Sequence, residues 1–341
     1  MKSEIGSEFW LVRKPAASPL DSEGVYVLSG RTAIDLIIQD IIKTSSVRSV
    51  YMPAWGCDSM LAPFVHRNIL LDFYDVCFDG QLKCHTDSLY HTDIFYVTNY
   101  FGYEYESAFD VEVVKQFKAK GAVILYDRTH SFLMEEDPYL PLADYSFASI
   151  RKWMGVIAGA EVKGIGEHQL KPCPYLTCKE EAMRMKRAFI DGDASVDKQT
   201  FLNLYGEFGH HLAEDYQNYE MDALSYALYK TEDFSVVRRK RRENAQYLHD
   251  HLKGGRFVGD LTDNAVPLFV PVLFDTTEQR NAVRKKLIEA QIYCPIHWPK
   301  PTQIPSNFEA NRIYDTELSL ICDQRYDLSD MERMVVLINN V

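Results

Sequence analysis

Lys152 stands in the stretch DYSFASIRKWMG, with Ser149 three residues before it and Arg151 beside it. A lysine on a short aromatic, β-leaning stretch is poorly placed for solvation alone. Two readings compete: an ordinary surface charge and a nucleophile. Asp127 ends the run AVILYD, one strand signal earlier. The ends of neighbouring strands can face one pocket, where a carboxylate and a lysine form either a plain ion pair or part of a reactive site. Burial and a cationic neighbour such as Arg151 would lower the lysine pKa and expose its lone pair.

A second stretch, SGRTAID, has the makings of an anion cradle. Gly30 permits close backbone approach, and Arg31, Thr32 and Ala33 begin a helix whose free N–H groups attract phosphate. Arg31 adds charge, Thr32 a hydroxyl, and Ser149 a further hydrogen bond. A plain strand-to-helix turn explains the same residues, and neither a P-loop nor a G-x-G-x-x-G occurs where one is required. Trp55, in MPAWGCD, and His130, three residues past Asp127, are flat groups suited to lie against a ring, although a tryptophan after a strand is as often a core aromatic. A lysine, a carboxylate and a phosphate cradle together fit pyridoxal 5'-phosphate (PLP). The lysine would form a Schiff base with its aldehyde and the carboxylate would keep its pyridine nitrogen protonated, which makes the ring an electron sink. The ion pair remains the alternative at this point.

The elements that must position these residues read as alternating strands and helices. VYVLSG is strand-like, and RTAIDLIIQDIIKT is a helix with Ile34, Leu36, Ile37 and Ile41 on one side. SVRSVYMP is a strand closed by Pro53, and DIFYVTNYFG one closed by Gly102. DVEVVKQFKAKG is an amphipathic helix, and AVILYD and DYSFASI are further strands. The pattern predicts a mainly parallel central sheet, which binds ligands at the carboxyl ends of its strands. Ser29-Gly30, Trp55, Asn99, Asp127 and Ser149–Lys152 all follow strand signals. Residues 171–229 read as helical and polar. A long helix from about Ser235, strands in AVPLFVPVLF and LSLICD, the helix EQRNAVRKKLIEAQ and a last helix capped by Ser329 predict a smaller α+β C-terminal domain. The expected division is 1–234 and 235–341.

Composition bounds the partners. The chain has 341 residues, 46% hydrophobic and 25% charged, enough for a large core. A net charge of −12 disfavours nucleic acid and anionic membranes. The basic run from Arg238 to Arg242 is expected to open a helix and face water. The start, MKSEIGSEFWLVRK, has no apolar run of signal-peptide length and no run approaches a membrane span, so a soluble, cytoplasmic protein is expected. Seven scattered cysteines argue against a disulfide framework, and no zinc site or other metal is expected.

In order along nearly the whole chain, several stretches resemble the DegT/StrS-type sugar aminotransferases, a family of fold-type I PLP enzymes. SGRTAIDLI is similar to the family's phosphate-binding helix start, and VYMPAWGCDSMLAPF to its strand-Pro-aromatic segment. YDRTHS is similar to its Asp-x-x-His/Gln element, SFASIRKW to its Ser-Phe…Lys segment and NYEMDAL to an Asn-Tyr-Arg-Met-x-x-Leu stretch. RRENAQYL, IYCPIHWP and LSLICDQRYD resemble the punctuation of its C-terminal domain.

The resemblance implies an α/β PLP-dependent transferase fold of the aspartate aminotransferase type. It implies an aminotransferase that moves an amino group from glutamate to a nucleotide-linked keto-sugar. Lys152 would be the Schiff-base lysine and proton carrier, Asp127 the partner of the pyridine nitrogen, and His130 a neighbour of the ring face or phenolic oxygen. Arg31, Thr32 and Ser149 would hold the phosphate and Trp55 would lie against the ring. Asn218 would reach the phosphate of a partner subunit, which implies a homodimer with shared sites. The lysine disfavours the family's sugar dehydratases, where histidine takes its place. A non-catalytic regulator of the same fold and another PLP reaction such as a lyase are the alternatives. Three departures stand out: Glu220 where the family has arginine, GVIAGA where it has a glycine-rich run, and SIRKW for its His-x-x-Lys-Asn. Arg31 is the expected source of the missing positive charge.

Overall fold

The computed structural model describes residues 4–10, 24–87, 89–105 and 111–341. In chain order the elements are β1 (Ile5–Gly6), β2 (Val25–Val27), α1 (Gly30–Thr44), β3 (Ser49–Pro53), α2 (Asp58–His66), β4 (Leu70–Phe78), β5 (Leu82–His85) and β6 (Ile94–Thr98). Next come α3 (Val111–Ala119), β7 (Val123–Asp127), β8 (Tyr145–Ser149), β9 (Ala160–Lys163), α4 (Leu176–Ile190), α5 (Lys198–Glu214), α6 (Ala223–Lys230) and α7 (Phe234–His251). Last are β10 (Arg256–Phe257), β11 (Val270–Leu273), α8 (Thr277–Glu289), β12 (Ile292–Tyr293), α9 (Ala310–Thr316), β13 (Glu317–Leu320) and α10 (Leu328–Asn339). Two compact units emerge: residues 1–7, 47–144 and 233–341 in one, and residues 8–46 and 145–232 in the other.

In the first unit the strand order is β7-β6-β3-β4-β5. β7, β6, β3 and β4 are parallel and β5 is antiparallel to β4. All five residues of β6, Ile-Phe-Tyr-Val-Thr, are buried, as expected of a strand covered on both faces. Parallel strands put their carboxyl ends on one edge, and the register pairs Thr98 with Asp127 there. The same unit holds the antiparallel sheet β10-β11-β13. In the second unit β9 lies between β2 and β8 and is antiparallel to both. β2 and β8 therefore point the same way, and Ala160 is paired with both Val27 and Ser149.

The structure departs from the sequence reading in three places. First, the strand expected to run to Gly102 ends at Thr98. Asn99 takes over the backbone: its Oδ1 accepts from Gly102 N at 3.1 Å and its Nδ2 donates to Tyr103 O at 3.0 Å. Phe101 and Gly102 then adopt positive φ, 59° and 78°. A Cβ on Gly102 would collide with Val266 O and lie 2.7 Å from His130 O. Gly102→Ala should therefore destabilise the protein by about 3 kcal/mol or more, read as a lower denaturation midpoint with unchanged slope.

Second, the cap of α10 is Asp327, in a reciprocal box with Asp330, and not Ser329. Ser329 instead donates its N–H and hydroxyl to Asp327 Oδ1 at 2.9 and 2.7 Å. The Asp327 carboxylate accepts from the first-turn N–H groups of Ser329 and Asp330 and adds a negative charge at the helix start, which a hydroxyl does not. Third, much of the basic run on α7 is structural rather than solvated. Arg241 is 1% exposed and donates to Leu268 O at 2.8 Å and Gln324 Oε1 at 3.0 Å. Arg242 bonds the carbonyls of Thr262, Asp263 and Ala265, and Arg238 that of Leu133. Guanidinium forks thus satisfy loop carbonyls that no strand pairs.

Candidate functional site

In the first unit, chemistry gathers past the carboxyl ends of β3, β6 and β7. Asp127 is 7% exposed and its carboxylate is fixed on both oxygens. Oδ1 accepts from Thr129 N at 2.8 Å, and Oδ2 accepts from the Tyr96 hydroxyl at 2.9 Å. Burial, reinforced by Asp127 itself, pushes the Tyr96 phenol well above its ordinary value, so it stays a donor. Thr98, one strand over, donates to Asp127 O at 3.3 Å.

His130 is buried, and its Nδ1 accepts from Phe101 N at 3.0 Å. A backbone N–H can bond that nitrogen only when it is unprotonated, so the neutral ring carries its proton on Nε2. Trp298 stacks on His130 with ring centres 5.7 Å apart. Trp55 is fully buried, stacked on Tyr100 at 4.6 Å, and its Nε1 donates to His297 O at 2.8 Å. It is part of an aromatic cluster with Phe101 and Trp298.

Sequence reasoning passed over a polar group behind this cluster. His297 Nδ1 is 2.7 Å from Ser319 Oγ, which donates to Glu317 Oε1 at 2.5 Å, while His297 N donates to Glu317 Oε2 at 2.6 Å. Glu317 and Ser319 are fully buried. Burial raises the Glu317 carboxyl from 4.5 to about 8, against the pull of Ser319, the His297 N–H and Arg280. The folded protein therefore binds this proton more tightly than the unfolded chain does. The associated stability is complete below pH 4.5 and is lost as pH rises through about 8. At roughly 1.4 kcal/mol per pH unit the upper bound is about 5 kcal/mol. Glu317→Gln should flatten stability between pH 5 and 8 in denaturant titrations, and an unchanged slope would refute the assignment.

In the second unit, the chain leaves β2 and β8 at the same end. Ser29 caps α1, its Oγ accepting from Thr32 N at 3.2 Å and lying 3.0 Å from Thr32 Oγ1. A Cβ on Gly30 would make ordinary contacts, 3.4 Å from Phe147 and 3.6 Å from Ser149. The start of α1 and Ser149 are thus brought together. Past Ser149 a single tight turn, Ile150–Lys152, carries Lys152, which is half-buried. Trp153 closes that turn and is fully buried. The following loop is held by one hydroxyl: Ser225 Oγ accepts from Ile157 N at 3.0 Å and from Ala158 N at 3.2 Å.

Arg31 donates from Nη1 to Leu212 O at 2.5 Å and sits over the Tyr216 ring at 5.5 Å. Asn218 has a positive φ of 58°, and its Oδ1 accepts from Gln39 Nε2 of α1 at 2.9 Å. Glu220 bridges Val27 and lines a cleft with Tyr26, Glu167 and His168. Arg151 lies beside Lys152, and its Nε is shielded from water with no hydrogen-bond partner among the described residues. In sequence Arg151 is marked only as the neighbour of Lys152, and Glu8, whose charge acts on it, is far from it along the chain.

No family model matches the chain, and no curated protein matches it. Solved structures do. Spr1654 of Streptococcus pneumoniae in its PLP form aligns over 93% of this chain and 87% of its own, with TM-score 0.63 and 14% identity. PseC of Helicobacter pylori, an aminotransferase involved in the biosynthesis of pseudoaminic acid, aligns over 94% and 86%, with TM-score 0.65 and 15% identity. DesI, solved in the presence of its TDP-sugar product, aligns over 94% and 80%, with TM-score 0.62 and 15% identity. The chain has the fold of these proteins, which bears out the expected α/β PLP-transferase architecture.

Proposed function

We propose that this chain is a PLP-dependent aminotransferase that transfers an amino group from an amino acid, glutamate by resemblance, to a nucleotide-linked keto-sugar. The observation that carries this reading is the placement of Lys152 one tight turn past β8, at the strand end where α1 begins. The fold, common to an aminotransferase and to proteins solved with PLP and with a TDP-sugar, supports it.

Each unit holds residues of the kinds the cofactor needs. The α1 start, with Ser29, Gly30, Arg31 and Thr32, and the adjoining Ser149 make a polar cradle for a phosphate. Asp127 is a carboxylate oriented on both oxygens, suited to accept from a protonated pyridine nitrogen. His130 presents Nε2–H as a donor toward a phenolic oxygen. When bound, PLP supplies the electron sink for breaking bonds at the amino-bearing carbon. Lys152 would hold the cofactor covalently, and its Nζ would take and return a proton. Trp55 stiffens the aromatic wall on the ring side. Asn218, held by Gln39, serves a partner subunit in a homodimer, and the protein works in the cytoplasm as two domains, 1–234 and 235–341.

Spectra test the reading. Purified protein given PLP should absorb in the visible, borohydride should fix the cofactor on Lys152, and glutamate should discharge the colour with release of 2-oxoglutarate. Protein that takes up no PLP would sink the proposal. Colour with no half-reaction would point to other chemistry on the same cofactor.

A further inference from the structure

We infer that Arg151 supplies the guanidinium that holds the cofactor's phosphate; the inference rests on the reading above and adds a residue to it. The register of β2, β9 and β8 puts the residues after Val27 and after Ser149 at one end of the second unit. Ser149 touches the space over Gly30, and Arg151 is two residues farther on, in the turn that presents Lys152.

The charges around Arg151 do not balance. It lies in the field of two other cations, Arg31 and Lys179, and of one carboxylate, Glu8. Glu8 serves several cations at once: its Oε2 accepts from Lys179 Nζ at 2.7 Å, its main-chain O accepts from Lys186 Nζ at 2.6 Å, and its charge also acts on Arg151. Lys179 and Lys186 are 3% and 1% exposed, so this positive charge is poorly solvated. A buried donor without an acceptor is costly, and a buried excess of like charge more so. A phosphate dianion relieves both, and a guanidinium meets it with paired, charge-assisted hydrogen bonds. Burial holds the Arg151 guanidinium below its usual arginine value, opposed by Glu8 and reinforced by Arg31. A bound dianion acts in the opposite sense. Arg31 directs Nη1 to Leu212 O and position 220 is a glutamate, so Arg151 adds a guanidinium beside the one at Arg31, whose Nε is equally shielded.

The test compares PLP with pyridoxal, which lacks the phosphate. In Arg151→Gln the affinity for PLP should fall by about 10- to 100-fold while that for pyridoxal stays within about twofold. Arg151→Lys should recover part of the loss. Apo wild-type protein should gain thermal stability from inorganic phosphate, and Arg151→Gln should lose that gain. Unchanged PLP affinity, or equal losses for PLP and pyridoxal, would overturn the inference. If Arg151→Gln fails to fold by circular dichroism, the lysine variant decides: PLP affinity equal to wild type overturns the assignment, and a phosphate-selective loss supports it. Failure of borohydride to label Lys152 in wild type would strike the aminotransferase reading instead. The inorganic-phosphate experiment would still decide on Arg151.

Discussion

Lys152→Ala should yield folded protein that stays colourless with added PLP and loses transamination by about 10³-fold or more. Lys152 is half-buried at the end of a one-turn helix, outside the fully buried core. The fold should therefore survive, as a melting curve would verify. The loss has two sources: no amine remains to hold the cofactor covalently, and proton transfer by a positioned side chain alone contributes about 10²–10⁴-fold. Lys152→Arg separates these from simple charge, since arginine retains the cation but does not lose its proton. Partial rescue of the alanine variant by a small primary amine would support the proton-carrying role. A Lys152→Ala protein that is still yellow, with borohydride fixing cofactor to another lysine, would refute the assignment.

The second large effect is at Asp127. Asp127→Asn keeps the side-chain shape: the amide oxygen can accept from Thr129 N, and the amide nitrogen can donate to the Tyr96 oxygen. Stability should change by less than about 1.5 kcal/mol. On the proposed function activity should fall by about 10²–10³-fold, because the negative charge proposed to face the ring nitrogen would be gone. PLP should still bind, with its visible band shifted and the glutamate half-reaction slowed. If the loss lay in PLP binding while the half-reaction of loaded protein kept its rate, Asp127 would be a structural anchor and not the partner of the ring nitrogen.

How much of this was legible in the sequence follows from where the information sits. The strand ends were legible because AVILYD and DYSFASI are short apolar runs with abrupt polar stops. Those stops are where Asp127 and Lys152 are found. The start of α1 was legible for the same reason, since Ser29 and Gly30 are local signals. The loop at Asn99 was not, because Tyr100 and Phe101 prolong the apolar run. What ends the strand is one amide side chain bonding the chain just beyond it. The choice of cap at Asp327 over Ser329 turns on which of two competent residues has the extended backbone. The His297–Ser319–Glu317 group and the Glu8–Lys179–Lys186 cluster join residues far apart in sequence, and no local spacing announces them. Trp153, next to Lys152 in the chain, is fully buried, which its position after a strand end does not announce.

The grip of Ser225 on the loop after Lys152 bears on how such a protein can diversify. Two amides at Ile157 and Ala158 share one hydroxyl, and that hydroxyl belongs to the first turn of α6. A longer or differently shaped loop would withdraw both amides and leave buried donors behind. The loop and the head of α6 are therefore one unit of exchange, and a transplant that takes the first without the second should carry its defect outside the transplanted residues.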